Sequence, residues 1–350
     1  MSQYDLEYRS FSLSLVEPLE TASGTIESRD GFLVRVTRAD DDAVGYGEAT
    51  PLPGWTESLA DCEAALERAQ AALDSDDEDE VLEAVDEAVA ARYGVSLALA
   101  DLEASSESTP LYRYYQPDAL VARVPVNATV GDGPVEKTVA AARDAAQRGF
   151  RCCKLKVGRR SVEADVERMR RVREAVGPEI ELRADANGAW EYEEALEAIQ
   201  KFDDLDVALV EQPLPAGALE GHADLRGRGV GIALDEGLLE HGVDAICEAQ
   251  AADAVVLKPM ALGGLDIAQQ VATWMGQLDV TPLVTTTIDG VVARAGAVHL
   301  AASLPDPPAC GLATGDLLAE DLGRDPVLFE NGAAVVPQAK GLGVEGVWAE

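Results

Sequence analysis

Lysine is scarce in this chain. Of its 28 Lys and Arg residues only six are lysines (Lys137, Lys154, Lys156, Lys201, Lys258 and Lys340), and three of the six stand in two short apolar contexts. Lys154-Leu155-Lys156 and Val256-Leu257-Lys258-Pro259 read as strand ends, with Lys154 and Lys156 two residues apart and therefore on one face. Carboxylates close three further runs of the same kind: Arg183-Ala184-Asp185-Ala186-Asn187, Leu209-Val210-Glu211-Gln212-Pro213 and Ala233-Leu234-Asp235-Glu236. The steps from Asp185 to Glu211, to Asp235 and to Lys258 are 26, 24 and 23 residues, each close to one strand-plus-helix unit. Three carboxylates on neighbouring strands make a hard-oxygen site for Mg2+, with Mn2+ the alternative ion, and leave positions for substrate oxygen and water. Lysines on the flanking strands would face that site from opposite sides, and a lysine buried near other cations loses its proton readily enough to act as a base. A lone strand-end Asp is ordinarily a helix cap and a lone Lys a solvated charge. Neither reading accounts for five placements in register in a chain so poor in lysine.

Elements must gather these residues at one mouth. From about residue 121, β-rich runs recur at 124–130, 152–157, 180–185, 207–211, 231–235, 254–258, 282–285 and 309–312. Helical patterns lie between most of them, at 135–148, 162–176, 193–201, 265–275 and 291–302. Eight strands alternating with helices predict a parallel sheet closed as a (β/α)8-type barrel, with its active site at the C-terminal strand ends. The first 115 residues read differently. Strand-like runs at 11–16, 31–37 and 42–49 and helical stretches at 59–73 and 81–102 predict a small antiparallel sheet with helices. There is no GxGxxG after a first strand and no Walker A sequence, so the marks of a nucleotide site are missing.

Charge narrows the partners. The 350 residues carry 64 acidic against 28 basic side chains, net −36, with 47% hydrophobic residues to build a core. Such a field repels phosphate backbones and anionic membrane surfaces, so neither nucleic acid nor a membrane is an expected partner. The acidic run at 74–80 is read as a solvated face or loop. The opening residues have neither a basic n-region nor an apolar h-region, and no run approaches a membrane span, so a cytoplasmic location is expected. The five cysteines (Cys62, Cys152, Cys153, Cys247 and Cys310) form no CxxC pair and are read as free thiols in a reducing compartment. The net charge also implies a salt-rich cytoplasm, because at ~1 M salt the Debye length falls to about 3 Å and self-repulsion is screened. The melting temperature should therefore climb from ~0.1 M to molar KCl, followed by circular dichroism. A melting temperature indifferent to salt would refute that reading.

The strings KLK (154–156), DAN (185–187), EQP (211–213), DE (235–236) and LKP (257–259) resemble, in this order, the enolase superfamily in its muconate-lactonising branch. The resemblance implies a (β/α)7β TIM-type barrel over 121–324 and an α+β capping domain over 1–115, completed by the tail 325–350. Within the branch, LRADANGAW (182–190), EQPLP (211–215), ALDEGL (233–238), VVLKPMALGG (255–264) and GLATGDLLAEDL (311–322) are similar to the o-succinylbenzoate synthase family of menaquinone biosynthesis. So are ETASGT (20–25) and GYGEATPLPG (45–54). That likeness implies syn dehydration of 2-succinyl-6-hydroxy-2,4-cyclohexadiene-1-carboxylate to o-succinylbenzoate through an enediolate. It assigns Asp185, Glu211 and Asp235 to Mg2+, Lys156 as the base and Lys258 as the opposing lysine. N-succinylamino-acid racemases and dipeptide epimerases share most of these strings and stand as the alternative, with a catalytically inactive metal-binding homologue as the reading from another class.

Other residues carry weaker expectations. Lys154 shares the face of Lys156. Asn187 and Glu236 are read as partners that orient ligands or lysines. Arg183, on the face of Asp185, would balance the anionic site or bind a substrate carboxylate. Thr285, Thr286 and Thr287 end the seventh strand where the family often has serines that meet a distal carboxylate. Gly311 to Gly315 would offer backbone N–H groups to an anion. His222, His241 and His299 fall away from strand ends, which argues against a catalytic histidine and the mandelate-racemase branch.

Overall fold

The computed structural model describes residues 4–21, 24–39, 43–73 and 78–348. Ala22 and Ser23 of the ETASGT string, Asp42 of the third expected strand and 74–77 of the acidic run lie outside the described residues. The N-terminal sheet is an antiparallel meander of β1 (Tyr4–Thr21), β2 (Gly24–Arg38) and β3 (Ala43–Ala49), with longer strands than their apolar centres predict. Phe32, Leu33, Val34 and Val36 of β2 supply its core. Helices α1 (Leu59–Ala72), α2 (Glu78–Glu83), α3 (Val89–Ser106) and α4 (Leu111–Tyr115) follow. Gly45 and Gly47 let α3 lie directly on β3, since a Cβ at Gly47 would stand 1.8 Å from the Gly94 carbonyl oxygen. The expected helix at 81–102 is two helices. Glu57, distant in sequence, accepts from Ala90 N at 3.1 Å and Ala91 N at 2.9 Å and so sets where α3 begins.

The remaining chain runs β4 (Arg123–Pro125), β5 (Ala128–Val130), α5 (Val135–Gln147), β6 (Cys152–Lys156), α6 (Val162–Val176), β7 (Glu181–Asp185), α7 (Tyr192–Asp203) and β8 (Val207–Glu211). It continues through α8 (Leu219–Leu225), β9 (Gly231–Leu234), α9 (Glu236–Ala249), β10 (Ala254–Leu257), α10 (Pro259–Leu262), α11 (Leu265–Gln277), β11 (Thr281–Val284) and α12 (Val291–Ser303). Strands β5 to β11 form a seven-stranded parallel sheet in strict sequence order. The expected eighth strand at 309–312 is reduced to bridges. Cys310 donates to Pro125 O at 2.9 Å and Gly311 to Val284 O at 2.9 Å, so these two residues join both edges and close the ring. The expected first strand, 124–130, is also divided. Its first part, β4, pairs with the tail strand β13 (Ala333–Val335), itself paired with β12 (Leu328–Glu330), and only β5 enters the barrel. Among the described residues, no helix is long and apolar enough to cross a membrane.

The tail returns to the N-terminal sheet. The guanidinium groups of Arg9 and Arg35 both lie over the Trp348 ring, 5.0 and 4.6 Å from its centroid. Asp101 of α3 accepts from Tyr46 N at 2.8 Å and Leu342 N at 2.6 Å, binding β3 and the tail to one carboxylate. Burial pushes Asp101 from an ordinary 3.8 up to about 7. The folded chain then holds a proton that the unfolded chain releases, so this group's contribution falls as pH rises from about 4 to about 7 and is level above that. At fixed salt, urea unfolding between pH 4.5 and 8 should show a shallower pH slope for Asp101→Asn than for the parent. Coincident slopes would rule it out.

Candidate active site

Period two along a strand fixes which side chains face inward, and sheet register fixes their height. Lys156 pairs with Asp185 and Asp185 with Glu211, so these three share one row at the C-terminal end of the barrel. Asp235 and Lys258 each follow the last residue of their strand, β9 and β10. Five consecutive strands, β6 to β10, thus bring Lys156, the three carboxylates and Lys258 to one mouth.

The charges are interleaved. Lys154 Nζ donates to Glu211 Oε1 and Oε2 at 2.8 and 2.9 Å and stands 3.2 Å from Asp185 Oδ2. Lys156 Nζ donates to Asp185 Oδ2 and Asn187 Oδ1, both at 2.7 Å. Lys258 Nζ donates to Asp235 Oδ2 at 2.6 Å. Burial opposes the Lys154 ammonium, but Glu211 and Asp185 beside it raise it well above the ordinary lysine value. Burial also works against the Asp185 anion, and Lys154 and Lys156 overcome it, holding that carboxylate below its usual range. Glu211, buried next to the Asp185 charge, is pushed up to about 7. Asp235 is raised by burial, with Lys258 opposing.

Among the described residues, no three acidic, histidine or cysteine side chains are grouped closely enough to hold a metal ion as they stand, because lysine ammoniums fill the space between them. The donor set nevertheless fits a hard divalent cation. All three groups are carboxylates, all are buried, and Asp235 Oδ1 is enclosed without a hydrogen-bond partner. A cation would satisfy that oxygen and remove the repulsion that raises Glu211.

The weaker candidates divide. Asn187, at φ 45°, links Lys156 to Glu236 Oε1 at 3.4 Å, and Glu236 Oε2 is buried without a partner. Both therefore belong to the mouth. Arg183 does not. It sits one row lower, beside Lys154, donating to Glu181 Oε1 at 2.5 Å and Ala309 O at 2.8 Å. The cavity it faces is about 10 Å³, room for one water at most and not for a substrate carboxylate. Gly311 likewise cannot cradle an anion through its N–H, which is spent closing the barrel, and Thr314 N is bonded to Leu312 O. Thr285 Oγ1 donates to Gly311 O at 2.9 Å, Thr286 Oγ1 meets Thr314 Oγ1 at 2.8 Å, and Thr287 is bonded to Asp289. The three histidines lie in helices α8, α9 and α12, and all five cysteines are free.

Three contributors escaped the sequence reading. Trp55, in the turn after β3, places its ring centroid 3.5 Å from Lys258 Nζ. The aromatic directly follows the GYGEATPLPG string, which was the one available sign. Gln212 Oε1 accepts from Asp235 N and Gly237 N, both at 3.0 Å, and fixes the strand end that carries Asp235. Glu48 accepts from Gly290 N at 2.6 Å and Ala293 N at 3.0 Å, holding the start of α12 behind the threonine loop. Burial, with Asp289 nearby, pushes Glu48 up to about 7.

Carboxylates on three consecutive strands of a parallel barrel, between lysine-bearing strands and beneath loops of an antiparallel sheet, define an enolase-type enzyme. Residues 137–349 match the family described as Enolase C-terminal domain-like, and residues 7–102 match MenC, N-terminal domain; the chain belongs to the enolase superfamily. An o-succinylbenzoate synthase of Thermobifida fusca is 40% identical over 220 residues, 61% of this chain and 66% of that protein. An L-Ala-D/L-Glu epimerase of Clostridium acetobutylicum is 27% identical over 356 residues, 98% of both chains. The dipeptide epimerase of Methylococcus capsulatus, solved with Mg and the dipeptide L-Arg-D-Lys, superposes with a TM-score of 0.87 at 29% identity over 98% of this chain and 99% of that one.

Proposed function

We propose that this chain is a Mg2+-dependent o-succinylbenzoate synthase, dehydrating the succinyl-bearing hydroxycyclohexadiene carboxylate. The carrying observation is the inequality of the two opposing lysines. The Lys156 side chain is 36% exposed at the mouth, where it is bonded to Asp185 and Asn187, whereas Lys258 is 14% exposed and held against Asp235 and the Trp55 ring. Syn elimination needs one lysine that exchanges protons and one fixed positive charge. Racemisation needs two that exchange.

In the proposed reaction Lys156 Nζ takes the proton α to the substrate carboxylate, leaving a dianionic enediolate. The Lys258 ammonium, on the opposite face, balances the developing charge. Lys156 then returns its proton to the departing hydroxyl on the same face, and water leaves as the ring becomes aromatic. Asp185, Glu211 and Asp235 would hold Mg2+, whose charge favours the dianion over the substrate and so lowers the barrier to proton removal. The match of residues 7–102 to MenC, N-terminal domain supports the synthase reading, as does the synthase relative. The end-to-end similarity to an L-Ala-D/L-Glu epimerase favours the second reading, a racemase or epimerase on the same scaffold. Side-by-side turnover of the cyclohexadiene carboxylate, N-succinyl-L-amino acids and dipeptides, in high salt with Mg2+, decides between them.

A further inference from the structure

The largest fully buried side chains in the described residues are two arginines, Arg294 and Arg168, the latter on the inner face of α6 among Val162, Val166, Met169 and Val172. A leucine or methionine would fill such a position with no charge to desolvate. Arg168 is paired with Asp165, equally buried, through Nη1 to Oδ1 at 2.7 Å. It stands 3.3 Å from Asp132 Oδ1, while its own Nε is buried without a partner. A buried ion pair with an unsatisfied N–H is a poor stabilising device, so its presence calls for another reason.

What the pair touches supplies one. Arg168 Nη1 donates to the carbonyl oxygen of Lys156 at 3.0 Å, and Nη2 donates to Gly131 O at 3.3 Å and Thr138 Oγ1 at 3.4 Å. Asp165 Oδ2 accepts from Gly158 N at 2.7 Å. Gly158, at φ +92°, is pressed so closely on the turn after β7 that a Cβ there would lie 2.8 Å from that of Ala189. One ion pair therefore clamps both sides of the turn that ends β6, joins it to the end of β5 and seats it on the turn after Asp185. Lys156 is the site lysine with the most exposed side chain; its Nζ is bonded to Asp185 and Asn187, and the backbone that carries it is bonded to Arg168.

We propose that Arg168 and Asp165 are positioning residues for Lys156, holding the last residue of β6 so that its ammonium group meets the substrate's α-proton. The proposal rests on the dehydration reading above for its kinetic readout, and its structural readout is independent of that reading. The test pairs Arg168→Met with Asp165→Leu, which removes both charges together and leaves no carboxylate unpaired. Calorimetric Mg2+ binding, kcat and KM for the cyclohexadiene carboxylate, and a crystal structure of the variant are then compared with the parent. Misplacement of a reacting group by ~1 Å costs about 10²-fold, so kcat should fall by roughly 30- to 100-fold, while KM and Mg2+ affinity stay within about threefold. In the crystal, Lys156 Nζ should have left hydrogen-bond distance of Asp185 and Asn187. A folded variant with kcat within about threefold of the parent, or with Lys156 still bonded to both, overturns the proposal. Should the double variant not fold, Arg168→Lys decides. Its shorter chain ends in one nitrogen where the guanidinium uses two, Nη1 for the Lys156 carbonyl and Nη2 for the Gly131 carbonyl, so kcat should drop about tenfold at unchanged KM, and an unchanged kcat overturns the assignment. A parent enzyme inert toward the substrate would refute the dehydration reading, and the crystallographic position of Lys156 would still decide this one.

Discussion

Asp185→Ala, Glu211→Ala and Asp235→Ala are each expected to remove Mg2+ binding and to lower turnover by at least ~10³-fold, about 4 kcal/mol of transition-state stabilisation. Chelation of the parent should do the same and be reversed by added Mg2+. The size of the effect follows from what the carboxylates do. An α-proton beside a carboxylate is barely acidic because its loss places a second negative charge on the same oxygens, and nothing in the first chemical step is harder than carrying that charge. The three variants should differ in stability, however. Asp185 is held as an anion by both Lys154 and Lys156, so Asp185→Ala leaves two lysines short of a partner in a buried site and should melt lowest. Glu211 takes both close hydrogen bonds of Lys154 and none of Lys156, so Glu211→Ala deprives one lysine instead of two and should melt above Asp185→Ala. Calorimetry for Mg2+, steady-state rates and thermal unfolding check these outcomes together. Full turnover in chelator, or Mg2+ affinity unchanged in all three variants, would defeat the assignment of the metal site.

How much of this was legible in the sequence depends on whether the information is local. The mouth was, because a parallel barrel repeats one strand-plus-helix unit and so writes its active site as polar residues at the ends of evenly spaced apolar runs. Lys156, Asp185 and Glu211 needed only period two and that spacing. Arg183 shows the limit: period two places it on the inner face with Asp185 but cannot say that the next row down is packed shut. The first and eighth strands were misjudged for a related reason. Residues 124–130 read as one run, with Val124, Val126, Ala128 and Val130 at period two, and only the pairing of β4 with the tail strand β13 divides them. Cys310 and Gly311 close the ring with one bridge to each side, too little to shape a longer β pattern. Glu57 at the start of α3, Trp55 over Lys258 and Arg168 under Lys156 all act through tertiary contacts. Composition identified the lysines as unusual and passed over Arg168, since arginine is the ordinary basic residue of this chain.

Replacing one lysine at a time is expected to separate dehydration from racemisation. Lys156→Ala should abolish dehydration of the cyclohexadiene carboxylate and all exchange of its α-proton with D2O, a loss of about 10⁴-fold or more, because that one side chain both removes the proton and returns it to the hydroxyl. Lys258→Arg is the informative partner. A guanidinium keeps the positive charge opposite the base and stacks on an aromatic face as Lys258 does on Trp55, yet it does not release a proton near neutral pH. Elimination uses Lys258 only as a charge, so Lys258→Arg should retain dehydration about 10²-fold above Lys156→Ala, with α-proton exchange confined to the Lys156 face. Racemisation cannot survive the same change, since the proton must leave from one face and return from the other. The two chemistries therefore predict opposite outcomes for Lys258→Arg, measured by deuterium incorporation and product formation in high salt with Mg2+. If parent enzyme turns over N-succinyl-L-amino acids or dipeptides far faster than the cyclohexadiene carboxylate, and Lys258→Arg ends that turnover completely, Lys258 exchanges protons and the synthase reading gives way to the racemase. If Lys258→Arg still dehydrates while Lys156→Ala does not, the exposed lysine is the only proton carrier. Lys258, lying against the Trp55 ring, then serves elimination by its charge alone.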